Sequence, residues 1–172
     1  QRNAALRHLA EAGGDVSQLA PFEEVLSRDG VLIARGRRDL CLALSQRADR
    51  VQQRLTDGAE WLRLDYLPSF DPGAPLTPNY QTAFGWQSPQ AQPPDVDDAQ
   101  LIGAFRQALE ARRRDEIERG TTLVGPHRDD LHFTSGRPRQ GTHDVDLGTF
   151  GSRGQQRTAV LALKLGELEW MR

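Results

Sequence analysis

The sequence predicts an α+β chain that is mainly α with a small β part. Through residues 1–119, apolar side chains recur three or four positions apart, which is the period of an amphipathic helix. After Gly120 the pattern changes to short alternating segments, which are typical of strands. The chain then ends in a run of helix formers without proline. We therefore expect a mainly helical part over residues 1–119, and strands followed by a helix over residues 120–172.

Two helices are predicted in the first third of the chain. The first runs from Arg2 to Ala12, has its leucines on one side, and ends at the sequence AGGD. The second runs from Pro21 to Asp57. Gly30 and Gly36 leave open whether it is unbroken, since each glycine costs about 1 kcal/mol relative to alanine in a helix interior. The apolar residues at helical spacing along it are Phe22, Val25, Leu26, Ile33, Leu40, Leu44, Val51 and Leu55.

A strand, a loop and a third helix should follow. Residues 59–68 alternate as a strand does. Residues 69–98 are rich in proline, glycine and glutamine and predict a loop, with a short extended piece near residues 84–86. Asp97 or Asp98 is expected to cap a helix that runs to Arg119, and Gly120 fits the position just after its end.

The last part of the chain predicts strands and a buried helix. Strands are expected in TTLVG and LHFTS, on either side of the bend GPHRDD, and SGRPRQG predicts a turn. HDVDLGTF alternates up to the serine at position 152. The run from Thr158 to Met171 is apolar on nearly every face, which predicts a helix that is buried on most sides.

Composition limits the classes of function. The net charge of −2 argues against nucleic-acid binding through overall charge. Every cation except Lys164 is an arginine, which suits phosphate contacts but also follows from biased genomic base composition. The single cysteine, Cys41, fits a reducing cytoplasm. No apolar run is long enough to span a membrane, and the scattered histidines predict no metal site.

The sequence GSRGQQR stands directly before the apolar run. Ser152 and Gln155 have the spacing of a capping box, in which the serine accepts from a first-turn N–H and the glutamine reaches back. A capped core helix is one interpretation. An anion site is the other, because a helix N-terminus offers free N–H groups and the positive end of the dipole to a phosphate. Arg153 and Arg157 would add cationic donors.

Several stretches resemble a known family. Ser-x-Gly-Gln-Gln before an apolar helix is similar to the signature motif of ABC-type ATPases. Ser152, Gly154 and Gln155 match it, and Arg153 replaces its usual glycine. GPHRDDL, followed by SRGQQR and LALKLGE in this order and separation, resembles the RecF family of bacterial recombination-repair proteins, as does the opening QRNAALRHL.

The resemblance implies an architecture. It is strong over residues 1–9 and 120–172 and weak over residues 13–119. Residues 1–119 would be the helical arm of this family, compact rather than rod-like because no long heptad seam is present. Residues 120–172 would be the signature-bearing lobe (lobe II) of an ABC-type ATPase head. The chain is then expected to be an internal fragment that lacks the Walker A and Walker B segments.

The resemblance also implies a split ATP site. The hydroxyl of Ser152 and the N–H of Gly154 would contact the γ-phosphate of ATP held by the other subunit of an ATP-dependent homodimer. ATP and Mg²⁺ would be cofactors of the full-length dimer, which would be a weak, DNA-stimulated ATPase. This chain has no glycine-rich phosphate loop, so alone it is expected to be inactive. The implied signature residues are Ser152, Arg153, Gly154, Gln155 and Gln156.

By the same resemblance, the full-length protein would act in the cytoplasm on double-stranded and gapped DNA. It would work with RecO and RecR to place RecA at gaps, with single-stranded DNA binding and a part in the SOS response. Eight arginines are candidates for DNA phosphate contacts, but interleaved acidic residues equally indicate a solvated face. They are Arg35, Arg37, Arg38, Arg112, Arg113, Arg114, Arg137 and Arg139.

The bend GPHRDD has two interpretations. A catalytic one makes His127 and Asp129 an acid–base pair. A structural one has Arg128 pair with a carboxylate to fix the bend beside the signature loop. The absence of an accompanying nucleophile or metal-ligand set favours the second. The motif consists of Gly125, Pro126, His127, Arg128, Asp129 and Asp130.

Two alternatives stay open at this point. The chain could be part of the head of another SMC-like or RecN-like ATPase, against which GPHRDDL and the short arm argue. It could also be a non-enzymatic helical scaffold, in which GSRGQQR is only a helix cap.

Overall fold

The computed structural model describes residues 1–70, 97–137 and 144–171. It is mainly helical with a small three-stranded sheet, as predicted. The extended piece expected near residues 84–86 and most of the SGRPRQG turn lie outside the described residues. The helices are α1 (Arg2–Ala12), α2 (Ala20–Leu55), α3 (Asp98–Arg119) and α4 (Arg153–Trp170), with a short 3₁₀ helix at Val16–Leu19. The strands are β1 (Trp61–Leu67), β2 (Asp130–Gly136) and β3 (Val145–Asp146).

The sheet has the order β1-β2-β3. Strand β2 pairs antiparallel with β3, and Thr134 lies opposite Asp146 while Ser135 lies opposite Val145. Within residues 144–150 of the alternating segment before Ser152, which the structure describes, only the two residues of β3 form a strand. The predicted strands at residues 59–68 and in LHFTS correspond to β1 and β2.

The described residues form two compact units. The first unit contains residues 1–36, 68–70 and 97–130, and the second contains residues 37–67, 131–137 and 144–171. Helix α2 contributes to both and continues through Gly30 and Gly36, which settles the question that these glycines left open. The division into a helical arm and a head lobe at residue 119 stays a prediction.

The core of the first unit confirms the predicted face of α1 and defines the buried side of α3. Leu6 and Leu9 of α1 are buried, and Leu101, Phe105 and Leu109 of α3 are buried as well. A Cβ atom at Gly30 would lie only 2.8 Å from the Phe105 ring, so the glycine lets the ring pack directly on α2. Helix α3 ends at Gly120 in the left-handed conformation, as expected, whereas the side chain of Asp97 makes no capping hydrogen bond.

The core of the second unit is built from small and medium side chains. It comprises Ala48, Val51, Leu62, Leu147, Ala159 and Ala162. Gly166 of α4 faces Ala48 of α2, and a Cβ atom at Gly166 would lie 3.0 Å from the backbone nitrogen of Ala48. The two helices therefore approach each other closely through small residues.

The prediction that α4 is buried on most sides is wrong. Its buried residues are Ala159, Ala162 and Gly166. The larger side chains point outward, and Val160 and Leu168 are 58% and 56% exposed. The buried side of α4 carries only small residues, which lets the helices approach closely. The bulky side chains therefore stand on the remaining sides of the helix, where the described chain does not fully cover them.

The apolar spacing along α2 is also a poor guide to its buried side. Val51 is buried, but four of the spaced residues are exposed: Val25, Ile33, Leu40 and Leu55. The buried positions instead include Ser27, Ala34, Cys41 and Ala48. As in α4, small residues form the packed face.

The strand predicted in TTLVG does not form. Residues 121–125 follow bends without strand pairing. Side chains take the N–H groups that a strand would need: Asn3 Oδ1 accepts from Thr122 N over 2.9 Å and Glu116 Oε1 from Leu123 N over 2.7 Å. These bonds satisfy the backbone locally and replace a strand ladder.

Strand β1 is supported by side chains of α2. Asp49 Oδ1 accepts from Leu62 N and Ser45 Oγ accepts from Leu64 N, each over 3.0 Å. Burial raises the pKa of Asp49 above its ordinary value, although the hydrogen bonds from Leu62 and Gln53 oppose the shift. Because β1 lies at the edge of the sheet, these contacts pair N–H groups that would otherwise be open.

Candidate functional site

The N-terminus of α4 carries the predicted capping box. Ser152 Oγ accepts from Gln155 N over 3.2 Å, and Gln155 Oε1 accepts from Ser152 N over 3.1 Å. The serine hydroxyl keeps its own proton free to donate. The helix therefore begins where the sequence predicted, with Arg153 as its first residue.

This end of α4 is open to solvent. Ser152, Arg153, Gly154 and Arg157 are all exposed. Within the described ranges, the N–H groups of Arg153 and Gly154 have no acceptor, as is usual for the first turn of a helix. Among the described residues, a Cβ atom at Gly154 would meet only Ser152 Oγ, at 3.9 Å, so packing against them does not require a glycine here.

The chain before Ser152 is held in a tight turn. Asp146 accepts from Gly148 N over 2.9 Å and from the Thr149 hydroxyl over 2.7 Å, and the Thr149 bond holds the pKa of Asp146 below its ordinary value. A Cβ atom at Gly151 would lie 2.6 Å from Leu147 O, which explains the glycine. Gln156 Nε2 donates to the same carbonyl over 2.8 Å, so its side chain is engaged within its own loop.

A buried carboxylate lies beside the cap. Glu60, in the turn between α2 and β1, accepts from Gln155 Nε2 over 3.2 Å and approaches Arg137 Nε at 3.5 Å. These residues border an open pocket of about 450 Å³. Its lining residues are Thr56, Ala59, Glu60, Arg137, Gly154, Gln155 and Thr158.

The GPHRDD bend has a different character. Gly125 has a φ of 133°, which favours glycine, and Ser69 Oγ accepts from its N–H over 2.8 Å. His127 Nε2 lies 3.1 Å from Thr122 O, and Arg128 Nε donates to the same carbonyl over 3.3 Å. In the described part of the chain Arg128 makes this backbone contact and pairs with no carboxylate, so the expected ion pair stays a prediction.

The residues of the catalytic interpretation have separate partners. Asp129 Oδ1 accepts from Ser69 N over 2.9 Å, whereas His127 is directed at a backbone carbonyl. Asp130 begins strand β2, and Pro126 lies in the bend itself. The geometry of the bend is that of a braced turn.

Comparison with curated proteins shows extensive likeness in sequence. The chain is 36% identical over 173 residues to the DNA replication and repair protein RecF of Herpetosiphon aurantiacus, covering 99% of this chain and 36% of the relative. The RecF protein of Synechococcus sp. is 39% identical, covering 98% of this chain and 38% of the relative. That of Thermomicrobium roseum is 38% identical, covering 97% and 39%. No family model matches the chain.

Solved structures agree with the sequences. The recombination mediator protein RecF-ATPrS in the RecFOR pathway covers 98% of this chain with a TM-score of 0.75 and 25% identity. The chain is homologous to a segment of RecF. A second RecF structure, described as RecF-ATP, gives a TM-score of 0.68 over 99% of the chain. The match covers 38% of each solved RecF chain, and the chain spans less than half the length of the curated RecF proteins named above.

The first unit also contains a buried charge cluster that sequence patterns did not reveal. Arg2 Nη2 donates to Glu116 Oε2 over 2.5 Å and to Glu23 Oε1 over 3.3 Å, and Arg2 Nη1 donates to Thr122 Oγ1 over 2.8 Å. Glu116 is fully buried and Arg2 nearly so. No local pattern could indicate this pairing, since Arg2 and Glu116 are 114 positions apart.

Most of the predicted DNA-contacting arginines that lie in the described part of this chain have acidic partners. Arg35 pairs with Asp98, Arg38 with Asp39, Arg112 with Asp115 and Arg113 with Glu23. Arg37 and Arg114 are exposed on their helices. Arg137 lies next to Glu60, and Arg139 falls outside the described residues.

The described residues contain neither a candidate membrane span nor a candidate metal cluster. None of the helices there is long and apolar enough to cross a membrane. No group of three or more histidine, cysteine or acidic residues in the same ranges could hold a metal ion.

Proposed function

We propose that this chain is the signature-bearing segment of a RecF-like ATP- and DNA-binding protein for recombinational repair. Its α4 N-terminus acts on ATP held by the second subunit of a dimer. The full-length protein, meaning this segment within a chain of its relatives' length, hydrolyses ATP slowly with Mg²⁺ and is stimulated by DNA. The segment alone is expected to hydrolyse none, because it contains no phosphate loop.

The observation that carries the proposal is the open geometry around Gly154. The capping box shapes the end of α4, yet the space beside Gly154 is left empty by the described chain. This end has free N–H groups and a hydroxyl proton, and Arg153 and Arg157 are exposed in the first turns of the helix, which suits the negative charge of a phosphate. The likeness to a solved structure named RecF-ATP supports ATP as the phosphate-bearing ligand.

The outward face of α4 supports a place within a larger head. The exposed large apolar side chains of α4 are Val160, Leu161, Leu165, Leu168 and Trp170, and the exposed Met171 follows its last residue. Such a patch indicates a contact surface. The relatives are longer than this chain, and we propose that in the full-length protein part of the additional chain packs on this face. Helix α4 would then be buried on both sides.

The decisive test is Ser152→Arg in the full-length protein. A long cation there would block closure over the γ-phosphate, while the phosphate loop of each subunit would still bind ATP. We expect near-normal ATP affinity of the monomer and a dimer dissociation constant raised at least about tenfold, equivalent to about 1.4 kcal/mol. Analytical ultracentrifugation with and without ATP measures the dimer, and a fluorescent ATP analogue measures nucleotide binding.

Gln107→Arg is the matched control. Gln107 is exposed on α3, and the change adds the same charge to a different helix, outside GSRGQQR. This variant should dimerise normally. If Ser152→Arg also dimerises normally with ATP, GSRGQQR is only a helix cap, and the scaffold alternative is favoured.

We further propose that DNA phosphates contact the exposed arginines at the end of α3. Arg113 is held by Glu23 over 2.9 Å, which leaves Arg112 and Arg114 as the outward pair. The double variant Arg112→Gln/Arg114→Gln in the full-length protein should weaken duplex binding. It should lower the slope of log affinity against log salt by about one per lost phosphate contact.

Fluorescence anisotropy with a labelled duplex, repeated over a series of salt concentrations, measures that slope. Arg28→Gln is the control, because Arg28 is equally exposed and has an acidic neighbour. An unchanged slope in the double variant would mean that this part of α3 is a solvated face.

A further inference from the structure

The carboxylate of Glu60 is firmly held before it reaches α4. Glu60 is 9% exposed. Its Oε2 accepts from Gln52 Nε2 over 3.4 Å, and its backbone N–H donates to Thr56 Oγ1 over 3.1 Å. Helix α2 and the turn after it therefore fix the position of this side chain.

Glu60 then dictates which way the Gln155 amide points. A carboxylate can only accept hydrogen bonds, so the NH₂ group of Gln155 must face Glu60 Oε1. The carbonyl oxygen of Gln155 consequently faces Ser152 N, where it completes the capping box. The reversed amide would set its NH₂ group against the Ser152 N–H and its oxygen against the carboxylate, which is repulsive at both ends.

Arg137 reaches the same carboxylate oxygen more weakly. Its Nε lies 3.5 Å from Glu60 Oε1, and its side chain is 55% exposed. A contact of this kind is screened by solvent and contributes little. The bond from Gln155 is therefore the one that ties Glu60 to the end of α4.

We propose that Glu60 is a positioning residue for the signature end of α4. It fixes the orientation of the Gln155 amide and thereby keeps the loop at Ser152 closed on the helix. The geometric part of this proposal concerns the chain itself, and only its consequence for ATP-dependent assembly rests on the function proposed above.

Hydrogen exchange at the Ser152 N–H tests the geometry directly in this chain. In Glu60→Gln, residue 60 can present either a donor or an acceptor, so the Gln155 amide is free to reverse. Loss of one hydrogen bond of about 1 kcal/mol corresponds to exchange about fivefold faster. The double variant Glu60→Gln/Gln155→Glu should restore slow exchange, because the carboxylate then stands at position 155, where it can only accept from Ser152 N.

Asp49→Asn is the matched control, since it removes another partly buried carboxylate of the same unit that makes no contact with Gln155. It should leave the exchange of Ser152 unchanged. If Glu60→Gln proves unfolded by circular dichroism, Glu60→Asp replaces it, because a carboxylate shorter by one methylene keeps the charge but withdraws from Gln155. Unchanged exchange at Ser152 in the folded variant would overturn the proposal, as would an equal effect of Asp49→Asn or no recovery in the double variant.

The consequence for assembly is measured in the full-length protein. Glu60→Gln should raise the ATP concentration needed for half-maximal dimerisation about fivefold without changing the ATP affinity of the monomer, and the double variant should reverse the change. Normal dimerisation of Ser152→Arg would refute the ATP function but leave the exchange result standing. Normal exchange in Glu60→Gln would refute the positioning role and leave the ATP function untouched.

Discussion

The GPHRDD bend and the N-terminus of α4 are both glycine-containing polar turns, but they are built in opposite ways. In the bend, backbone and side-chain groups are directed at partners of the same unit: Ser69 contacts Gly125 on both its N–H and its carbonyl, and Thr122 O receives two side chains. At α4, the first N–H groups, Gly154 and two arginines face outward without such partners in the described residues. A turn that is satisfied internally is suited to hold structure, whereas one that leaves donors open is suited to meet a ligand.

The buried cluster beneath the bend deepens this contrast. Arg2 and Glu116 are linked to Thr122 and Leu123, so the bend is braced by charges that are out of contact with water. The α4 end depends on one buried carboxylate, Glu60, and on a cap. Substitutions should therefore affect mainly stability in the first region and mainly assembly in the second.

Breaking the buried ion pair should have the largest effect on stability. Arg2→Leu leaves Glu116 without its cation in a fully buried place, and we expect a loss of about 3 to 5 kcal/mol in the free energy of unfolding. Urea denaturation followed by circular dichroism measures it. The double variant Arg2→Leu/Glu116→Leu should recover part of the loss, because no charge is then left buried alone.

Arg28→Leu serves as the reference for that experiment, since Arg28 is mostly exposed, and its cost should stay within about 0.5 kcal/mol. A loss of that small size in Arg2→Leu would show that the cluster does not brace the first unit.

The two glycines give a matched comparison of intermediate size. Gly125→Ala forces alanine into a φ of 133° and places Cβ 3.3 Å from His127 Nδ1, which should cost about 1 to 3 kcal/mol. Gly154→Ala meets open space in the first turn of α4, so it should be neutral or stabilise by up to about 1 kcal/mol. Thermal unfolding of both variants tests the pair.

In ATP-dependent dimerisation, the substitution at Gly154 should have the larger effect and the substitution at Gly125 the smaller one. In the full-length protein, Gly154→Ala should impair ATP-dependent dimerisation although it does not destabilise the fold. If Gly154→Ala is as destabilising as Gly125→Ala, the end of α4 is a packed turn like the bend, and the contrast between the two regions disappears.

The smallest expected effect is on the pH dependence of stability, through two carboxylates of the second unit. The pKa of Asp49 is raised in the folded chain, so above its ordinary value of 3.8 the folded state holds the proton longer than the unfolded state. Its contribution to the free energy of unfolding therefore falls as pH rises. The free energy of unfolding of Asp49→Asn, relative to that of the wild type, should increase with rising pH and then become constant. Urea midpoints measured from about pH 3 to pH 7 test this.

For Asp146→Asn, the free energy of unfolding relative to the wild type should change with pH in the opposite direction. The pKa of Asp146 is lowered chiefly by the Thr149 hydrogen bond, so its contribution is present above the ordinary value of 3.8 and is lost as pH falls. Parallel profiles for the wild type and both variants would show that neither carboxylate is perturbed in the folded chain.

The sequence by itself determined those structural features that are formed by residues close together in the chain. The capping box at Ser152 and Gln155, the end of α3 at Gly120 and the alternation of β1 involve residues within a few positions, so they are readable from type and spacing. The likeness to RecF is also contained in the order and separation of short stretches, and it needs no coordinates.

Tertiary structure decided which faces are buried and which distant groups meet. Spacing marked the large apolar residues of α2 and α4, yet the packed faces carry Ala48, Ala159 and Gly166, because helices that approach closely need small residues at the contact. TTLVG has the composition of a strand, but side chains of Asn3 and Glu116, more than a hundred positions and seven positions away, take its N–H groups. Glu60 and Gln155 lie 95 positions apart, and only folding brings the carboxylate to the amide that it orients.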